Sequence, residues 1–221
     1  MAVIHQTALK PSKLELLTAW LPTRPWYGGG PGGPELVKSG GFRLDDPRGE
    51  VGIEFMVVTD TSGPDPIAYL VPLSYRGAPL DGAEHALVGT MEHGVLGRRW
   101  AYDGYQDPVV VAQLLALIEG RVGAQDQNAS DTPDPDVTAS RTGEGSIPGD
   151  SPVTATDDQE GTALALPRSA VLRLRRALRA AEGGAPLPPQ GATGHLAGVW
   201  RTPDGGRVRG LFAVLRPGAG A

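Results

Sequence analysis

At 221 residues the chain can hold one large domain or a medium one with appendages, but 32 Gly, 21 Pro and only 5% aromatic residues predict a core smaller than that length allows. A formal charge of -5 gives no sign of a general nucleic-acid binder, and zero cysteines exclude disulfides, thiolate metal sites and a cysteine nucleophile. The opening MAVIHQTALKPSKLELL lacks the charged start and long apolar run of a signal peptide. The longest apolar run, 109–118, is broken by Gln113 and too short for a bilayer, so the expectation is a cytoplasmic protein with no membrane partner.

Charge falls into three blocks. Residues 1–121 hold 10 Lys/Arg against 14 Asp/Glu, residues 122–160 hold 1 against 9, and residues 161–221 hold 9 against 2. The blocks predict an ordered domain over 1–121, an acidic linker over 122–160 and a basic element over 161–221. The middle block is Asp, Thr, Ser, Gly and Pro with few large apolar residues. Such a composition cannot bury enough surface to offset ordering entropy, so disorder is expected.

In chain order, Ser12 with Glu15 forms a capping box for a helix carrying Leu14, Leu17, Trp20 and Leu21, with Pro22 as its stop. The Gly-rich run after Trp26 and Tyr27 lacks the Gly-Lys-Ser/Thr ending of a phosphate cradle and is expected to be a flexible loop. Residues 35–45 and 51–59 read as a hairpin around Asp46-Pro47-Arg48-Gly49, with Val51, Ile53, Phe55 and Val57 on one face. Strand 68–76 contains Pro72, which cannot donate to a ladder, so an edge strand or a bulge is expected. Strands 86–91 and 98–103 follow.

Asp107 then caps a helix with Pro108 at its first position and Gly120 at its end. That helix is apolar nearly all round and must be covered, which four or five antiparallel strands curling around it would do. GEGSIPGDS, around Ser146, has the wrong glycine spacing for a hydrolase elbow. Ser169 and Gly183 bracket an expected helix over 170–181, with Val171, Leu174 and Leu178 on one face and Arg173, Arg175, Arg176 and Arg179 around it. A hairpin over 195–202 and 207–215 closes the chain.

Trp26, Tyr69-Leu70-Val71-Pro72-Leu73-Ser74-Tyr75-Arg76, Ala86-Leu87-Val88-Gly89, Arg99-Trp100-Ala101-Tyr102-Asp103 and Asp107-Pro108-Val109 together carry a resemblance. Residues 10–121 resemble the N-terminal cap subdomain of actinobacterial maltokinases and related aminoglycoside-phosphotransferase-like sugar kinases. The resemblance implies an α+β, cystatin-like fold: a curved antiparallel sheet packed on a helix. The disordered acidic linker and a small C-terminal helix plus β-hairpin would follow it. It would also imply ATP-dependent maltose phosphorylation if the kinase lobes were present. Phosphoryl transfer needs a lysine on the phosphates, acidic metal ligands and a catalytic Asp. The lysines are Lys10, Lys13 and Lys38, and none of His5, His85, His93 or His195 precedes an Asp by two places. The chain therefore also resembles stand-alone cap-like actinobacterial proteins without catalytic lobes. A degenerate kinase N-lobe over 161–221, with a strand at Leu172-Arg173-Leu174-Arg175-Arg176, is the less favoured reading.

Two functions stay open. One is a non-catalytic accessory or interaction protein of maltose, trehalose or glycogen metabolism whose partner is a carbohydrate-metabolism enzyme. The other is a sugar-binding or carbohydrate-active protein related to maltokinase. Tyr75, Arg76, Arg99, Tyr102, Asp103 and Asp107 are the polar residues of the signature. They would either contact a sugar or pin the sheet, and the second reading is favoured. Asp81, Glu84, His85, Glu92 and His93 lack ligand spacing and are expected as solvated loops, so no metal and no cofactor is expected. The Arg-rich segment lacks interleaved aromatics for nucleic acid, and the acidic block is its simplest partner.

Overall fold

The computed structural model describes residues 9–30, 32–142, 147, 153–182 and 186–218. The expected boundary at Gly183, the segment around Ser146, and His5 lie outside the described residues.

Helix α1, Lys13–Trp20, begins with the reciprocal capping box: Ser12 Oγ accepts from the Glu15 N–H at 3.3 Å and Glu15 Oε2 accepts from the Ser12 N–H at 2.7 Å. The chain then tightens into a 3₁₀ turn, Leu21–Thr23, which accommodates Pro22. Strands β2 (Leu36–Leu44) and β3 (Gly52–Asp60) form the hairpin. Its turn is held by the Asp46 carboxylate, which accepts from the N–H groups of Arg48, Glu50 and Val51. Both faces of β3 are buried. Ile53, Phe55 and Val57 face α2 (Pro108–Ile118), while Met56 and Val58 face the side packed by α1.

β4 (Ile67–Arg76) is an internal strand, not an edge, and its pairing with β3 runs without a bulge. On its other side, residues 73–76 pair with β6 (Gly97–Asp103), which in turn pairs with β5 (Leu87–His93) and, beyond it, β1 (Leu9–Lys10). The Ala68–Leu70 end of that same side bonds to residues 176–178. The Leu70 N–H points to this outer side, so by two-residue alternation Pro72 has its missing donor there too, in the gap between partners. Gly104 fills the gap; a Cβ on it would sit 3.2 Å from Pro72 Cβ.

α2 has Asp107 as N-cap, Pro108 in its first turn and Gly120 in a left-handed conformation (φ +72°) just past its end. Its Val110, Val111, Leu114, Leu115, Leu117 and Ile118 all enter the largest core cluster.

Two expectations are corrected beyond α2. The described part of 122–160 is not a disordered tether: it contains β7 (Thr138–Arg141), β8 (Thr154–Asp158) and a bridge from Gln125 to Arg43. Its acids are used locally or paired with the basic block. Asp126 Oδ1 accepts from Asn128 and Ala129, Asp136 pairs with Arg207 at 2.5 Å, and Asp158 takes Arg173 in a two-pronged pair. Composition understated order because these charges are neutralised by residues far along the chain. Second, the expected helix over 170–181 is absent. Ser169 caps nothing; it lies at φ +59° in the turn Pro167–Ser169, and Val171–Arg175 is strand β10. Leu172 and Leu174 are buried at a period of two, which long-range pairing with β9 (Gly161–Ala165) and β12 (Arg207–Arg216) enforces over the local helical pattern.

The result is α+β, a curved antiparallel sheet with two helices. β2 meets β11 (Gly194–Arg201) at one pair, Gly40 with Trp200, where a Cβ on Gly40 would lie 3.3 Å from Trp200 Cα. β11 pairs with β12, β12 with β10, and the chain leaving β10 bonds back to β4 through Leu70 N–H to Arg176 O and Leu178 N–H to Ala68 O, both 2.8 Å. Pairing therefore closes a ring, β4-β3-β2-β11-β12-β10. Phe42, Phe55 and Phe212 stack in its core, with centroids 4.5 Å and 6.3 Å apart. Leu114→Ala on α2 should cost about 2–5 kcal/mol in urea unfolding; a loss near zero would mean that the helix does not anchor this core.

Candidate functional site

The signature residues do not converge. Tyr75 and Arg76 are neighbours on β4, so they point to opposite faces. On the α1 side, the Tyr75 hydroxyl donates to Glu54 Oε2 at 2.8 Å, with Lys13 paired to the same carboxylate; burial first, then Glu54, pushes the Tyr75 phenol well above its usual range. On the α2 side, Arg76 grips Asp107 in a two-pronged pair, both contacts 2.7 Å, while Asp107 Oδ1 also accepts from the Val109 N–H. Tyr102 accepts from the Leu80 N–H at 2.9 Å and packs on Ala83 and Ala86. Arg99 lies against Gly77, with its Nε buried and unpartnered. These residues hold the sheet, its helix cap and its loop.

Asp103, at the end of β6, is different. It is 5% exposed, and its Oδ2 accepts from Arg176 Nη2 at 2.5 Å. Arg176 is 0% exposed, donates from Nε to Thr162 Oγ1 at 2.7 Å, and lies over the rings of Tyr105 (4.5 Å) and Trp26 (4.8 Å). Trp26 also packs on Trp20 and Tyr69. The guanidinium thus exchanges water for one carboxylate, one hydroxyl and two ring faces. Arg176 Nη1 and Asp103 Oδ1 have no hydrogen-bond partner. Burial raises the Asp103 carboxyl above its usual value, and Arg176 and the Tyr105 N–H pull against that rise.

Asp103 also lines a cleft of about 410 Å³. One wall comes from the chain between α1 and α2: Arg24, His85, Asp103 and Gln106. The other is β8, through Thr154, Ala155 and Asp157. Arg24 stacks on Trp20 at 4.9 Å and donates to Thr23 Oγ1, and Asp157 accepts from Thr162 Oγ1 at 2.5 Å. Among the described residues no three His, Asp or Glu side chains gather as metal ligands, and no helix is long and apolar enough to cross a membrane.

Of the cleft and seam residues, the signature contained Trp26, Ala86 and Asp103. Arg176 was legible as the next core-side position in the alternation Leu172, Leu174, Arg176, once that run is read as a strand. An Arg on a core face requires a carboxylate, and Asp103 supplies it. Arg24, Gln106 and Asp157 carried no local signal, because three distant segments bring them together.

Residues 20–107 match the family described as the maltokinase N-terminal cap domain. Over those residues the chain is similar to that cap domain. The match runs from the last residue of α1 to the N-cap of α2, so it covers β2 to β6 and less than half of the chain. No curated protein matches the sequence. Asp103, within the matched residues, is therefore joined to Arg176 of a segment outside the match.

Because the native pKa of Asp103 is raised, the folded state holds its proton to higher pH than the unfolded chain does. Its contribution to stability is then full below the usual carboxylate range and falls as pH rises through the native pKa. Wild type minus Asp103→Asn stability, followed by urea titration across pH, should show that falling limb, and Arg176→Met should move it to higher pH. A limb that rises with pH would show that the ion pair outweighs burial. At neutral pH, Arg176→Met should cost about 3–5 kcal/mol, as expected when one partner of a buried pair is removed.

Proposed function

We propose that the chain is a non-catalytic cap-type module, an accessory or interaction protein in maltose, trehalose or glycogen metabolism, acting in the cytoplasm with a carbohydrate-metabolism enzyme as partner. The observation that carries this reading is Arg176. A kinase lobe following the cap would turn cationic side chains toward phosphates. Here the segment following the cap inserts its guanidinium into the cap's own core, against Asp103 and between Trp26 and Tyr105. Lys13, too, is engaged by Glu54. We read the curl of β2 to β6 over a helix as cystatin-like.

The alternative, a sugar held by Tyr75, Arg76, Arg99, Tyr102 and Asp103, draws less support. Arg76 is committed to Asp107, Tyr75 to Glu54 and Asp103 to Arg176. Affinity capture of the tagged chain from a native extract should enrich a maltose-, trehalose- or glycogen-metabolising enzyme; recovery of none above an untagged background would refute the partner reading. Purified protein with ATP and maltose should form no sugar phosphate above blank, and measurable product would refute the non-catalytic reading.

A further inference from the structure

We infer that the outer face of the β10-β12-β11 sheet is a docking surface for an acidic segment of a partner protein. The inference rests on the reading of the chain as an interaction protein, and adds to it the surface and the chemistry of what that surface takes.

Alternation along the strands divides the residues of this sheet between two faces. Leu172 and Leu174 of β10, Leu196 and Trp200 of β11, and Val208 and Leu215 of β12 face the core. The other face therefore carries Arg173 and Arg175 from β10, Arg201 from β11, and Arg207, Arg209 and Arg216 from β12. Residues 161–221 hold nine basic residues, and six of them stand on this one face. Neither helix covers it: α2 enters the core cluster, and α1 packs with Met56, Val58 and Tyr69 of β3 and β4.

Register makes the face unfavourable when it stands alone. Arg201 and Arg207 lie directly opposite each other on β11 and β12, with Arg209 two residues farther on the same side. Like charges directly opposite one another destabilise a sheet. The chain's own acids relieve this in part. Asp136 pairs with Arg207 at 2.5 Å and its carbonyl accepts from Arg209 at 2.7 Å, while Asp158 and Glu160 take Arg173. Arg175, Arg201 and Arg216 have no ion-pair partner among the described residues. A face already arranged to receive carboxylates thus has three cations left to receive more.

Its composition favours a protein over a nucleic acid. Half-buried Val199 and Leu211 stand among the arginines, which gives the mixture of apolar and guanidinium groups common at protein interfaces. The outward positions of these three strands include no Phe, Tyr or Trp on which a base could stack, since Trp200 and Phe212 belong to the core. The anions that the face already holds are carboxylates.

The test is the fluorescence anisotropy of a labelled glutamate-rich peptide titrated with the purified full chain. Binding should saturate at low ionic strength and weaken as salt is added, and the same peptide with Gln in place of Glu should not bind. Arg175→Gln combined with Arg201→Gln should weaken binding about tenfold or more with no loss of melting temperature, because neither side chain has an ion-pair partner to lose. Asp136→Asn should strengthen binding by releasing Arg207. Lys10→Gln combined with Arg48→Gln, which removes the same charge elsewhere, should leave it unchanged. No saturation at low salt, unchanged affinity in the folded Arg175/Arg201 double variant, an equal loss in the Lys10/Arg48 control, no gain in folded Asp136→Asn, or tighter binding of duplex DNA than of the peptide would each overturn the proposal. Affinity capture keeps the two readings apart. An enzyme enriched as well by the Arg175/Arg201 variant as by wild type would count against this face and for the partner, whereas peptide binding with no enzyme captured would count for the face and against that partner.

Discussion

A guanidinium with no solvent exposure, at the point where a ring of strands closes, sets the terms for this fold. Arg176 sits where the chain leaving β10 bonds back to β4, and its side chain must find there everything that water would have supplied. Asp103 comes from the end of β6, Thr162 from β9, and the ring faces from Trp26 and Tyr105. A one-residue slip of 176–178 along β4 would turn Arg175 or Ala177 to that position and leave Asp103 buried without its cation. The pair ties the register of residues 176–178 to the carboxylate at the end of β6.

The same closure makes one structure of parts with opposite charge. The acidic stretch supplies β7 and β8, the basic stretch supplies β9 to β12, and both attach to the sheet of β1 to β6. Arg173 with Asp158 and Arg207 with Asp136 join the two stretches at the surface, where such pairs contribute little individually. The larger consequence is geometric. Closing the ring brings β8 against the turn Gly104–Gln106, and the space left between them is the cleft.

Legibility in the sequence followed the range of the interactions involved. The Ser12–Glu15 box, the Asp46 turn and the Asp107–Pro108 cap each complete their hydrogen bonds within five residues, so sequence reading located them. Pro72 was recognised as unable to donate, yet its strand is internal, because two different partners share that side and leave a gap at the proline. The segment after Ser169 reads as a helix and folds as a strand. Val171, Leu174 and Leu178 fit a helical stripe as well as Leu172, Leu174, Arg176 and Leu178 fit a strand, and nothing local separates the two. The candidate-site residues lie on short strand segments whose neighbouring residues face opposite ways, so the signature does not by itself form one surface.

The sequence alone located the helix caps and the hairpin turn of the first 121 residues, where each completes its hydrogen bonds locally. Tertiary structure decided the strand order and what those elements became in this chain. Whether Arg176 lay on a solvated helix or inside a strand seam depended on β9, β12 and β4 arriving beside it. Whether Asp103 was a rim residue or a buried acceptor depended on Arg176. Each is a pairing between residues far apart in sequence and close in space, and its free energy exists only once the ring has closed.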